Sequence, residues 1–229
     1  MKNIYVTADK PEDWRKLLAD PIKHWRSGYS AKALAYSWQN AKGFPTTVKK
    51  VFKKSDIDIF QDIEPLIALP EYKVHLPGGP RASQNDIFVL AKGKGQLIAI
   101  AVEGKVSEDF ASKISKWKYL KDAKTNKPQR LAFLLKTLKL EGKDIDTLRY
   151  QLLHRTASAF LEAKKFNAKN AVMLVHSFSQ TYEHFEDYEQ FLKLFGLRGK
   201  KDTIVGPVKI DEINLYFGWV RGDKRYLMV

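Results

Sequence analysis

The chain has no cysteine. A disulfide framework and a thiolate zinc site are therefore both excluded, and any metal would have to be held by oxygen or imidazole. Long apolar runs are missing too. None approaches the roughly 20 residues a membrane span requires, and the opening MKNIYVTADKPEDW lacks the uninterrupted apolar core of a signal peptide. The expectation is a soluble cytoplasmic protein with no membrane partner. Internal repeats, low-complexity tracts and linkers are absent, so the 229 residues are expected to form one domain. Hydrophobic residues at 44% and aromatic residues at 12% suffice for one sizeable core. Within that domain the pattern divides into an N-terminal helical layer over 1–68, a core over 69–180, and a C-terminal helix and β-hairpin over 181–229.

Acidic residues are in deficit. Forty Lys and Arg face 26 Asp and Glu, a formal charge of +14 that points toward polyanionic partners. The excess is concentrated between Lys113 and Arg130, where Lys113, Lys116, Lys118, Lys121, Lys124 and Lys127 accompany a single acid, Asp122, with Trp117 and Tyr119 interleaved. Such a segment suits a phosphate backbone, with an aromatic ring available for packing or base stacking. A solvated surface face is the alternative.

Periodicity gives a coarse architecture. Short helices are predicted over Pro11–Ala19 and from Ser30, where Ala31, Leu34, Ala35 and Trp38 form one stripe that Gly43 and Pro45 end. Another is predicted from Ser55, with Ile59, Ile63, Leu66 and Ile67 inward. His24, beside Trp25, reads as a packing residue. Tyr72–Leu76 is expected to be the first strand, followed by the Pro77–Pro80 turn. Later helices are expected over Gln129–Leu140, Ile145–Phe166 and Glu183–Leu194. The second carries a polar stripe of Gln151, His154, Arg155 and Ser158 suited to a phosphate or a catalytic water. Ala171–Val175 reads as a central strand buried on both faces and ending in His176. Leu215–Val220 with Tyr226–Val229 reads as a terminal hairpin.

The stretch from Gln84 to Lys105 carries the chemistry. A strand over Ile87–Leu90, a turn over Lys92–Gly95 and a second strand over Leu97–Val102 make a hairpin. Asp86 starts its first strand, and Glu103 and Lys105 end its second on one face. Two carboxylates on adjacent strand ends make a hard oxygen site for Mg²⁺ or Mn²⁺, and an amine beside them would position an attacking water and stabilise a phosphodiester transition state.

Asn85-Asp86, a hairpin and then Val102-Glu103-Gly104-Lys105 resemble the signature of the PD-(D/E)xK nuclease superfamily, with Asn85 where the signature has proline. The same Glu-x-Lys spacing at Glu141-Gly142-Lys143 follows a helix end and has neither a preceding strand nor an Asp one hairpin upstream. The resemblance implies a restriction-endonuclease-like α/β fold, a mixed central sheet flanked by helices, and Mg²⁺-dependent hydrolysis of DNA. It makes Asp86 and Glu103 metal ligands and Lys105 the catalytic lysine. Some members add an acid from a preceding helix, for which Glu64 is the nearest match, and a glutamine from a following helix, matched by Gln151. Lys113, Lys116, Lys118, Lys121 and Arg155 are the nucleic-acid-binding candidates, and Gln84, His154 and His176 accessory ones. Many such nucleases pair to cut both strands, so a homodimer is compatible with the resemblance, although no segment marks an interface. A nucleic-acid-binding or protein-interaction module without turnover is the alternative on the same fold.

Overall fold

The computed structural model describes residues 8–121 and 126–229. A 3-10 turn over Pro11–Leu17 leads into α1 (Pro21–His24), α2 (Ser30–Gln39) and α3 (Thr46–Lys54). The sheet begins with β1 (Glu64–Val74), β2 (Ser83–Gly93) and β3 (Gln96–Lys105), an antiparallel meander. Helices α4 (Ile114–Trp117), α5 (Lys127–Leu138) and α6 (Tyr150–Lys165) lead to β4 (Asn170–Ser177), and α7 (Phe185–Leu192) leads to the hairpin of β5 (Thr203–Ile210) and β6 (Ile213–Arg221). Spatial order is β1-β2-β3-β4-β6-β5, with β3, β4 and β6 mutually parallel and the outer pairs antiparallel. This is a mixed, helix-flanked α/β sheet, the fold class that the resemblance implies.

Two cores cover the two faces. Alternation along β3 sends Ala99 and Ala101 toward α6, and Ile98, Ile100 and Val102 toward α2 and α3. β4 is buried at every position, as its continuous apolar run implies. Ala157 and Ala163 let α6 lie close on the sheet, while Phe160 and Leu152 fill its flanks. On the other face Leu34, Trp38, Val48 and Phe52 form the inner stripes of α2 and α3. The β2–β3 turn is two residues long, with Lys94 at φ 47° and Gly95 at φ 76°, the double positive φ of a tight primed hairpin turn.

Two predicted elements differ, and one helix was not predicted. The helix expected from Ser55 does not form: Ser55 caps the C-terminus of α3, and β1 already starts at Glu64. Pro65 and Pro70 forbid a helix there but are tolerated in β1, an edge strand. The helix over Thr46–Lys54 escaped prediction because Gly43 and Pro45 read only as a stop, whereas Pro45 in fact precedes a new start. The terminal hairpin pairs β6 with β5 rather than with Tyr226–Val229, where a 3-10 turn stands. Gly206-Pro207 interrupts the β5 pattern and shifts its register between Val205 and Val208, which edge position again permits.

Candidate active site

Register alone brings three acids to one level. Pairs Pro70–Ile87 and Tyr72–Asn85 bracket Glu71 and Asp86, and one step beyond Ile87–Val102 sets Asp86 beside Glu103. Glu71 has φ 52°, a left-handed conformation uncommon for a glutamate, at the position where β1 meets the pocket. Gln84 Nε2 donates to its Oε2 at 2.6 Å. Lys105 Nζ donates to Glu103 Oε1 at 2.7 Å. From α6, one turn apart, Gln151 Nε2 donates to Glu103 Oε1 at 2.6 Å and Arg155 Nε to Glu103 Oε2 at 2.5 Å. Arg155 Nη2 also stands 3.8 Å from Asp86 Oδ1.

Asp86 Oδ2 accepts the Gly104 N–H at 2.7 Å. A Cβ at Gly104 would lie 3.3 Å from that carboxylate and 3.1 Å from Leu34 Cδ2, so the residue between Glu103 and Lys105 is held small by contacts on both sides. These groups line a pocket of about 540 Å³, whose opposite wall comes from the N-terminal layer through Leu18, His24 and Ser30. Glu108 fixes that wall by accepting from both the N–H and the hydroxyl of Ser30, each at 2.9 Å, at the start of α2.

Charge is unevenly neutralised. Burial pushes Glu103 upward, but Arg155 and Lys105 outweigh it and hold this carboxyl below its ordinary range. Burial and then the Glu103 charge raise Asp86 to about 7, and burial followed by the Asp86 charge raises Glu71 to about 8. The folded chain therefore retains protons that the unfolded chain has released between about pH 4 and pH 8. Stability from this source is complete below the unfolded values and is lost as pH rises through 7 to 8. The melting temperature in EDTA is expected to fall between about pH 4 and pH 8 and to level off above that. A Glu71→Gln, Asp86→Asn double variant is expected to flatten the fall, and an unchanged slope would clear the two carboxyls of responsibility.

The structure gathers Asp86, Glu103, Lys105, Gln151, Arg155 and Gln84 into one pocket. Glu64 is not among them. It starts β1 opposite Lys92, seven residues and about 23 Å of strand from Glu71, because the segment is a strand rather than the expected helix. Glu71 occupies the third acidic position instead. The only sequence signal for it is an acid following an edge-strand proline. His176 lies on the other face of the sheet, where Trp38 Nε1 donates to its Nδ1 at 3.1 Å and Thr47 Oγ1 is 3.3 Å from Nε2. Burial lowers its pKa to about 3, so it packs as a neutral ring and cannot serve the pocket.

His154 is adjacent but turned aside, its Nδ1 2.7 Å from Ser83 Oγ, with burial and then Arg155 holding it well below the usual histidine range. His24, read as packing, is exposed on the pocket wall. Lys113, Lys116, Lys118 and Lys121 are exposed, Lys118 pairing with Asp146, whereas Lys127 and Arg130 are buried. Trp117 stacks on Tyr150 with centroids 3.9 Å apart, so it packs, while Tyr119 stands 86% exposed. Asp122 and Lys124 lie outside the described residues.

A family described as a domain of unknown function, DUF6946, matches residues 7–224. The chain belongs to that family. No curated protein and no solved structure matches it.

In this DUF6946 domain the pocket offers carboxylate and amide oxygens and no thiolate, a donor set that a hard, water-rich cation could use. Among the described residues no three His, Asp or Glu side chains stand close enough to form a ready-made cage. Mg²⁺, however, needs only one or two carboxylates besides water and substrate phosphate. A divalent cation would offset the crowding that raises Asp86 and Glu71, the two carboxyls that could hold it, whereas both oxygens of Glu103 are already engaged.

Proposed function

We propose that this chain is a metal-dependent nuclease of the PD-(D/E)xK type that hydrolyses phosphodiester bonds of DNA. The observation that supports it most is the meeting of Asp86, Glu103 and Lys105 with Glu71 and Gln151 in one pocket, at the ends of adjacent strands and one helix turn. The mixed, helix-flanked sheet agrees with what the resemblance implies.

Asp86 and Glu71 would hold Mg²⁺ or Mn²⁺, with Glu103 joining when Arg155 withdraws. When bound, the ion polarises the scissile phosphodiester and lowers the pKa of an attached water. Lys105 is held by Glu103 with its amine in the pocket, where it orients the attacking water and stabilises negative charge developing on the phosphoryl oxygens. Gln151 steadies Glu103 through its amide N–H, which leaves its carbonyl oxygen to accept from that water. Lys113 and its exposed neighbours begin two residues beyond Ala111 on the pocket rim and would carry the flanking phosphates.

One observation favours a second reading. Arg155 bridges Glu103 and Asp86 and supplies the positive charge that a cation would bring. On that reading the fold binds nucleic acid without turnover. Crystals soaked in Mn²⁺ are expected to show anomalous density between Asp86 and Glu71, and Mg²⁺ is expected to support cleavage of plasmid DNA. Binding that persists in EDTA with neither density nor cleavage would overturn the nuclease in favour of the binding module.

A further inference from the structure

A second charged feature lies at the far end of α2. A groove of about 540 Å³ runs between α3 and the C-terminal 3-10 turn, lined by Lys42, Lys49, Lys50, Lys53, Arg225 and Tyr226. It adjoins another of about 710 Å³ that shares Lys42, Phe44 and Lys49 with it. α3 is strongly two-sided: Val48, Val51 and Phe52 are buried, and Lys49, Lys50 and Lys53 stand exposed. Two acids line this surface. Asp223 is already paired with Arg225 at 3.1 Å, and Glu64 faces the adjoining groove. No carboxylate among the described residues lies within 4 Å of the amines of Lys42, Lys49, Lys50 or Lys53. Four like charges held in a concavity with no carboxylate at ion-pair distance repel one another, and a bound polyanion relieves that repulsion.

The occupant follows from shape and spacing. Lys49 and Lys53 stand one helical turn apart, about 6 Å along α3, a repeat suited to successive phosphates on one backbone. A membrane surface would need the charges on a flat or convex face with apolar residues ready to insert, and the exposed large apolar residues Ile22, Tyr29, Tyr119, Leu120 and Met228 are not among those that line the groove. The groove is also tied to the acid pocket. Ala31 lines the pocket and Asn40 the groove, so the two are separated by about 14 Å of α2.

We infer that the α3 groove is a second nucleic-acid contact, which holds the phosphate backbone of the same substrate beyond the acid pocket. The inference rests on nucleic acid being the substrate, though not on cleavage of it.

The test is fluorescence anisotropy of a labelled mixed-sequence DNA duplex with the full chain in EDTA, across a salt series. Lys49→Ala with Lys53→Ala is expected to weaken binding about tenfold at low salt and to reduce the slope of log affinity against log salt by about 2, one for each lost phosphate contact. Both side chains are solvent-exposed, and an unchanged melting curve confirms folding. Parental affinity and slope in the double variant would overturn the groove, as would a loss seen only on phosphatidylserine vesicles. Asp86→Asn separates the two readings: duplex binding that survives this change and falls with the lysine pair supports the groove even where cleavage is absent in every variant.

Discussion

Asp86→Asn is expected to abolish Mg²⁺-dependent cleavage, and Lys105→Ala to reduce it by roughly 10²–10³-fold, the usual cost of removing one preorganised charge stabiliser. Neither change should unfold the chain. The asparagine Oδ1 can still accept the Gly104 N–H, and the substitution removes one of three crowded carboxyls. In Lys105→Ala, Glu103 keeps Gln151 and Arg155 as partners. Cleavage of a fluorescent duplex under single-turnover conditions, beside circular dichroism melts, reads both effects. Full activity in either variant sinks the assignment of these residues, and loss of activity together with loss of the fold is excluded by the melts. The two differ further in cation dependence: raising Mn²⁺ should recover nothing in Lys105→Ala, where the cation ligands are intact.

Arg155→Met is expected to cost about 3–5 kcal/mol of stability in EDTA near pH 8, the penalty for removing one charge partner from a buried ionic cluster. The side chains of Arg155 and Glu103 are 7% and 2% exposed, so water cannot take over the lost interaction. Asp86 and Glu71 then face Glu103 with Lys105 as the remaining cation of the cluster. Chemical denaturation measures the loss. Mg²⁺ or Mn²⁺ at saturating concentration should restore part of it, because a divalent ion supplies the missing positive charge and binds only the folded arrangement. Arg155→Lys should fall between the two, since an ammonium keeps the charge but cannot reach both carboxylates as a planar fork does. A methionine variant as stable as the parent would show that the guanidinium does not neutralise the acids.

The candidate site was legible where its geometry is local. Glu103 and Lys105 are two residues apart on one strand, and the β2–β3 turn is short, so the period of two and the turn residues already place Asp86 beside them. Gln151 and Arg155 share a helix face by their spacing of four. Glu71 was not legible, because choosing it over Glu64 requires knowing that Pro65 and Pro70 sit in an edge strand, and edge position is a property of the whole sheet. His176 was ambiguous for the same kind of reason. A strand-end histidine can face either layer, and its face depends on which helices cover that side; α2 and α3 bring Trp38 and Thr47 to it.

The sequence by itself determined the absence of thiol chemistry, the basic balance, the apolar central strand β4 and the acid-bearing hairpin, all of which follow from composition or from contacts between near neighbours in the chain. Tertiary structure alone decided that Glu71 is the third acid, that Arg155 stands between Glu103 and Asp86, and that α2 separates the acid pocket from a lysine-lined groove. Each of these depends on strand order and helix docking between segments tens of residues apart, which the cooperative burial of two cores sets and local periodicity does not encode.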